Sequence, residues 1–279
     1  MILIADSGST KTSWLLVDDS EVIQRIETAG YNPYYYKYKK LLEIIENELL
    51  PTLMHNNIEK IYYYGSGCSS EINNSKVKTA LWEKFPEALI EINHDLTGAA
   101  AALLKNKPGI ACILGTGSNS CYWDGNQVVS NVPSVGYLLG DEGSGTYIGM
   151  KILKGILEKK APDEIIYDFY ESHDLSFEKV LSIIYENPEP NRLFSGICKF
   201  AGEKINNQWV REQISQAFSD FINNQIRYYP DYKNQEICFT GSIAYHFKSI
   251  LLETFSKNGL KTGIILKEPI DGLYEYHSL

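Results

Sequence analysis

Apolar positions along the chain switch between runs of period two and faces of period near 3.6, and the switches fall at glycine, proline or Asn/Asp turns. The first run, Ile2 to Ala5, ends in Asp6, passes through Ser7-Gly8-Ser9-Thr10 and resumes over Lys11 to Asp18, which predicts a hairpin. Glu21 to Glu27 alternates and adds a third antiparallel strand at one edge. Leu41, Leu42, Ile44, Ile45, Leu49 and Leu50 predict one helix over 38–50, stopped by Pro51. Ile58 to Tyr64 reads as a strand ending in a Gly/Ser turn. A helix around 73–85 follows, with Val77, Leu81, Trp82 and Phe85 on one side. Ala88 to Ile92 is a strand that delivers Asn93-His94-Asp95 to an Ala-rich helix, Leu96 to Leu104. The order is β-β-β-α-β-α-β-α.

After Pro108 and Gly109 the opening pattern returns. Ile110 to Leu114 runs into Gly115-Thr116-Gly117-Ser118-Asn119-Ser120, then Cys121-Tyr122-Trp123, an Asp124-Gly125-Asn126 turn and the strand Gln127-Val128-Val129. A second strand, glycine turn, strand, strand unit predicts two domains, 1–107 and 108–279. Gly136 to Gly145 precedes a helix to about Leu157. Residues 163–229 carry only helical patterning, broken at an Asn187-Pro188-Glu189-Pro190 loop, and predict a helical insertion over about 160–230 that packs over the second sheet. Glu236 to Phe239 is a strand, 243–257 a helix, Gly263 to Leu266 a strand, and Pro269 to Tyr274 closes the chain.

Composition narrows the function classes. The chain has 279 residues, room for two domains with their own cores, and its 44% hydrophobic and 22% charged residues suit a globular protein. No run approaches 18 apolar residues and Asp6 comes too early for a signal peptide, so a cytoplasmic protein is expected. A net charge of −9 argues against nucleic acid or an anionic membrane as partner. Tyr31, Tyr34, Tyr35, Tyr36 and Tyr38 lie among Lys37, Lys39 and Lys40, but the acidic continuation of that helix reads as a solvated helix start, not a base-stacking patch. The five cysteines are scattered without a CxxC pair, and none of the five histidines stands at ligand spacing to them, so free thiols are expected.

The two glycine turns carry the candidate chemistry. A short turn between strands offers backbone N–H groups and hydroxyls to a phosphate, though an ordinary hairpin has the same pattern. An anion bound by this acidic chain needs such N–H groups, a helix N-terminus or Mg²⁺. The Asp141-Glu142 pair, held between glycines before a helix, can accept hydroxyl protons or hold a hydrated cation; a charged helix cap is the plainer reading.

Four motifs in order resemble the actin/sugar-kinase/Hsp70 superfamily and, within it, the N-acetylglucosamine kinase branch of the family that includes the BadF/BadG/BcrA/BcrD activator ATPases. Asp6-Ser7-Gly8-Ser9-Thr10-Lys11-Thr12 resembles the first phosphate motif and Gly115 to Ser120 the second. Gly136-Tyr137-Leu138-Leu139-Gly140-Asp141-Glu142-Gly143-Ser144 resembles the Gly-Asp-Glu-Gly-Ser block, and Phe239-Thr240-Gly241-Ser242-Ile243-Ala244 the adenosine motif, which usually has two adjacent glycines where this chain has Thr240-Gly241. The resemblance covers nearly the whole chain. It implies an α/β fold of two actin-like (ribonuclease H-like) domains facing a nucleotide cleft, with a helical insertion in the second.

It also implies an ATP-dependent kinase acting on a hydroxyl of an amino sugar, N-acetylglucosamine first, glucosamine or N-acetylmuramic acid next, with ATP and Mg²⁺ as cofactors and a homodimer by analogy. Asp6 would hold Mg²⁺ through water. Gly8, Ser9, Thr10, Lys11 and Thr12 would meet the β/γ-phosphates, Gly115, Thr116 and Gly117 would grip phosphates from the other domain, and Gly241 and Ser242 would lie at the adenosine. Asp95 matches the general base. Asn32 and Asp141 match sugar contacts, with Ser118 and Asn119 near the sugar. The plain alternatives are that Asp95 and Asp141 are caps and Asn32 a turn residue; Glu142 has no assignment, and His94 and His277 read as structural. Two other functions stand beside the kinase: an ATPase switch activating a partner redox enzyme, and a non-catalytic module that binds nucleotide or sugar.

Overall fold

Strand β1 (Ile2–Ser7) is the axis of the first sheet. It pairs antiparallel with β2 (Lys11–Asp18), which pairs antiparallel with β3 (Glu21–Ala29). On its other side β1 runs parallel to β4 (Lys60–Gly65), and β4 parallel to β5 (Leu89–His94), giving the order β3-β2-β1-β4-β5. The computed structural model describes residues 1–55, 57–173, 175–186 and 191–278, without the side chains of 191 and 192. The expected loop at 187–190 lies outside the described residues.

Between these strands lie α1 (Tyr38–Ile44), α2 (Glu71–Lys84) and, after β5, α3 (Asp95–Leu104). The single helix expected over 38–50 is two segments. A wide π-type turn, Ile45–Leu49, follows α1, and Leu50 N–H bonds to Ile45 O at 2.9 Å, five residues back. Leu41, Ile44, Ile45 and Leu49 are all buried. On α2 the buried positions are Asn73, Val77, Ala80 and Leu81, whereas Trp82 is 58% exposed. Trp82 follows Leu81 by a 100° step that carries it off the packed face, which corrects its expected burial.

The second sheet is built on β6 (Gly109–Leu114), β7 (Ser118–Trp123) and β8 (Val128–Val132). Then come α4 (Gly145–Leu157), α5 (Asp163–Ser172), α6 (Phe177–Glu186), α7 (Asn191–Glu203) and α8 (Gln208–Asn224), with a 3₁₀ turn at Ile226–Tyr228. Strand β9 (Glu236–Thr240), helices α9 (Ser242–His246) and α10 (Lys248–Lys257), strand β10 (Lys261–Leu266) and α11 (Ile270–His277) complete the chain. The sheet order is β10-β9-β6-β7-β8, so β6, β7, β8, β9 and β10 repeat the positions of β1 to β5. The α/β class and the internal repeat expected from the two glycine turns are both present. The helix expected over 243–257 breaks at Phe247, whose side chain is buried in the core at the junction of α9 and α10.

The chain divides into two compact units. The first holds Met1–Lys107, Trp123–Val128 and Glu268–Leu279; the second holds Pro108–Tyr122 and Val129–Lys267. The first has its core around Leu3, Trp14, Tyr31, Ile45 and Tyr63, between the sheet and α1 and α2. Its other layer is α3, whose Leu96 and Ala99 to Leu104 are buried, paired with α11. The second has its core around Ile110, Leu114, Ile152, Phe218, Phe239 and Phe255, and the helical insertion joins it through α7 along α4 and α8 against α4 and α10. Near-complete burial of β1 and β6 on both faces explains why each reads as an unbroken apolar run.

Candidate functional site

In the first unit the β1–β2 turn is closed by Gly8 N–H to Lys11 O at 2.9 Å, and Gly30 N–H ties to Thr10 O at 3.0 Å. Gly8, Ser9 and Thr10 are exposed, although the Gly8 amide is taken by Lys11 O. Asn32 is buried beside them, its Nδ2 donating to Ser9 Oγ at 3.1 Å and its Oδ1 accepting from Tyr34 N at 3.0 Å. It therefore braces the turn and also shapes its own, the plainer role that the sequence left open.

Alternation along β2 separates Lys11 from Thr12. Thr12 turns inward, where its hydroxyl meets Ser7 Oγ at 2.8 Å, and Ser7 in turn accepts from Tyr63 Oη at 2.7 Å. Lys11 is held at its ammonium by Glu27 at 3.0 Å and Glu268 at 2.8 Å. Asp6, at the end of β1, is half-buried among like charges. Burial first, then Asp95 and Glu268, push its carboxyl up to about 7, against the pull of Lys11.

Asp95 is the first residue of α3, one position inside the cap residue His94. Its Oδ1 accepts from Leu96 N–H at 2.7 Å and lies 3.0 Å from His94 Nδ1; Nδ1 is also 3.2 Å from Leu96 N. One ring nitrogen cannot both donate to the carboxylate and accept from the amide. The shorter amide contact belongs to the carboxylate, so we assign the proton to Nδ1, donating to Asp95. Both bonds fall on Oδ1 and fix the carboxylate at the N-terminus of α3.

In the second unit, the Gly115-Thr116-Gly117 turn is closed by Gly115 N–H to Gly117 O at 3.0 Å. The first turn of α4 holds it in place, Gly145 N–H bonding Gly115 O at 2.9 Å and Thr146 Oγ1 donating to Thr116 O at 2.8 Å. Asp141 Oδ2 stands 2.9 Å from where a Cβ on Gly117 would be, so a side chain there would strike the carboxylate. Asp141 has a left-handed backbone, φ 59°, and its carboxyl is raised by burial, an effect reduced by bonds from the Ser134 hydroxyl and the Ser118 amide. Among the described residues, Ser118 Oγ is buried without a hydrogen-bond partner. Asn119, next along β7, accepts from Asn131 Nδ2 at 3.0 Å.

The adenosine-like motif comes to the same place. Gly241 has φ 115°, and a Cβ there would lie 2.3 Å from Leu114 O, at the root of the second turn. Only glycine gives both that conformation and that approach. Ser242 is exposed beside it at the start of α9. Gly115 to Ser118, Asp141 and Gly241 are thus one cluster in the second unit, and Asp6, Gly8 to Lys11, Asn32 and Asp95 one cluster in the first.

The crystal structure of a Porphyromonas gingivalis protein provisionally named an N-acetylglucosamine kinase matches this chain with a TM-score of 0.94 and 34% identity, over 99% of this chain and 98% of that one. The chain belongs to that N-acetylglucosamine kinase-like family. A Chromobacterium violaceum protein under the same provisional name shares the fold, with a TM-score of 0.74, 15% identity and coverage of 99% and 98%. So does a Listeria monocytogenes protein provisionally named an N-acetylmannosamine kinase, with a TM-score of 0.55, 12% identity and coverage of 99% and 97%. No family model and no curated protein matches the chain.

Within this family member, three contacts at the clusters escaped the sequence reading. His94, expected to be structural, caps α3 and also touches Asp95; its place between a strand end and a helix start is the signal for that contact. Glu142 is buried and accepts from Asn224 Nδ2 at 2.8 Å, tying the Asp141 loop to α8. Glu268 meets Lys11 across 257 positions, and no local pattern marks it. All five cysteines are free and buried, and burial raises each of their thiols. No helix among the described residues is long and apolar enough to cross a membrane.

Proposed function

We propose that this protein is an ATP-dependent kinase that phosphorylates a hydroxyl of an amino sugar, with N-acetylglucosamine the first candidate. The observation that carries the reading is Asp95, fixed through Oδ1 at the N-terminus of α3 and close enough in charge to raise Asp6 at the end of the first turn. Kinship over the full chain with a protein provisionally named for that activity supports the same substrate class.

Phosphoryl transfer to an alcohol is chiefly positioning and charge neutralisation. Amides of the Gly8–Thr10 turn, with Lys11, meet the β/γ-phosphates, and the Gly115–Gly117 turn binds phosphate from the part of the chain that begins at 108. Gly241 and Ser242 border the adenosine. Asn32, Ser118, Asn119 and Asp141 bind the sugar; the orphan hydroxyl of Ser118 and the raised Asp141 carboxyl are polar groups that a sugar hydroxyl would satisfy. Asp95 Oδ2, which no hydrogen bond among the described residues occupies, takes the acceptor proton. Closure of the two domains keeps water from the phosphoryl group.

Mg²⁺ fits at Asp6. Asp95 and Glu268 add negative charge there that Lys11 alone does not offset, so a divalent cation relieves repulsion at that carboxylate. Asp6 would hold the ion through water. Bound there, Mg²⁺ would neutralise charge on the β- and γ-phosphates. A cytoplasmic homodimer belongs to the same reading, and light scattering tests the dimer.

The test is coupled ADP release with MgATP across a panel of hexosamines. Sugar-dependent turnover is expected, strongest with N-acetylglucosamine, and Asp95→Asn should lower kcat at least ~100-fold, the contribution of a positioned base. Absence of sugar-dependent ADP release on every hexosamine would refute the kinase; turnover retained in Asp95→Asn would move the base elsewhere.

A further inference from the structure

Lys11 lies directly after the exposed Gly8–Thr10 turn, where a phosphate would meet its ammonium, but two carboxylates already hold it. Glu27 Oε1 is 3.0 Å away on a side chain 67% exposed, whereas Glu268 Oε1 is 2.8 Å away on one only 32% exposed. Glu268 is engaged at both oxygens, since Ser13, two residues along β2 on the same face as Lys11, donates to its Oε2 at 3.4 Å. The better-sheltered partner of Lys11 is therefore a built contact. It involves the first residue of the segment that returns to the first unit, immediately before Pro269 and α11.

A nucleotide's terminal phosphates are multiply charged. Brought to the Gly8–Thr10 turn, they would meet Lys11 already neutralised and two carboxylates beside it, and full charge pairing needs one carboxylate to let go. We infer that Glu268 competes with the phosphates of a nucleotide for the Lys11 ammonium, holding the lysine at the first turn when no anion is bound and releasing it when one arrives. The inference rests on the proposed kinase reading for the identity of the anion. Linkage makes the competition reciprocal: whatever the Glu268 contact subtracts from nucleotide affinity, nucleotide subtracts from that contact.

The test is a double-mutant cycle on the full chain, with MgATP affinity measured by calorimetry at one fixed ionic strength. Glu268→Gln should tighten MgATP about 2- to 5-fold, the range that loss of one partly exposed ion pair allows. Lys11→Met should weaken it, and Glu268→Gln added to Lys11→Met should change affinity less than about 2-fold, because no ammonium is left to compete for. Equal tightening in both backgrounds would make Glu268 a mere repulsive charge and overturn the competition, as would unchanged or weaker binding in the single variant. Glu268→Asp, which keeps the charge but shortens the reach to Lys11, should tighten MgATP by a smaller factor and serves if Glu268→Gln does not fold. Wild-type protein that binds no MgATP would remove the kinase reading together with the competition. Wild-type binding with an unaltered Glu268→Gln affinity removes the competition alone.

Discussion

Replacing His277 by phenylalanine should preserve the ring stack that seats α11 on the first sheet while removing the group there that burial holds neutral. The imidazole stacks on Tyr62, with centroids 3.6 Å apart and planes at 23°, and its Nε2 lies 2.9 Å from the buried Tyr64 hydroxyl. Burial lowers its pKa from 6.5 to about 4, with Glu91 pulling up and Lys60 pushing down. Tyr276 completes its surroundings, edge-on at 5.2 Å. The unfolded chain takes up a proton near pH 6.5 and the folded chain does not until about 4, so stability from this group is full above 6.5, falls as pH drops and is lost by about 4.

Taken at face value, the shift corresponds to about 3 kcal/mol; the ring is only partly shielded, and solvent screening reduces this to about 1–2 kcal/mol. At pH 7.5 the His277→Phe variant should be less stable by about 1–3 kcal/mol, because the Tyr64 hydroxyl loses its partner. Between pH 7.5 and pH 5 that deficit should shrink by about 1 kcal/mol, since only the wild type pays the protonation penalty. Denaturant unfolding of both proteins at each pH gives the difference directly, with the carboxylates common to both cancelling. An NMR titration of the His277 ring checks the cause. A deficit constant across the range, or a ring that titrates between pH 6 and 7, would refute the reasoning.

Substitutions at three further residues probe the two clusters. Ser118→Ala should leave stability unchanged or raise it by a few tenths of a kcal/mol, because its buried hydroxyl has no partner, while raising the sugar KM in the ADP-release assay; a stability loss above ~1 kcal/mol would mean that the hydroxyl is bonded in the folded protein. Gly241→Ala should destabilise the second unit by at least about 1–3 kcal/mol in thermal unfolding, since its φ of 115° and the Leu114 carbonyl 2.3 Å from a Cβ act together; an unchanged Tm would contradict this. His94→Ala should lower kcat about 3- to 10-fold with little change in the ATP KM if the ring only orients Asp95, and His94→Asn, able to donate to Asp95, should restore part of the loss; equal losses in both would argue against orientation.

What could be read along the chain, and what could not, follows from how far each constraint reaches. Both glycine turns were legible because their cause is local: a strand must reverse within a few residues, and the backbone needed there selects Gly, Ser and Thr. The repeat of those turns was enough to anticipate a second strand, turn, strand, strand unit, but not the order of the strands in either sheet. Helix faces were legible where apolar residues recur at 3.6, but Trp82 was assigned by hydrophobicity where the angle placed it off the face. The π-type turn after α1 and the break at Phe247 carry no Gly or Pro signal along the chain, and Ile45, Leu49 and Phe247 there are buried in the cores. Side-chain roles depend on what arrives beside them. Lys11 and Thr12 are neighbours in a single motif, yet strand alternation sends one to Glu268 and the other to Ser7. A motif therefore specifies where backbone amides gather, whereas the charge around Lys11 depends on Glu27 beside it on the sheet and on Glu268, contributed from the other end of the chain.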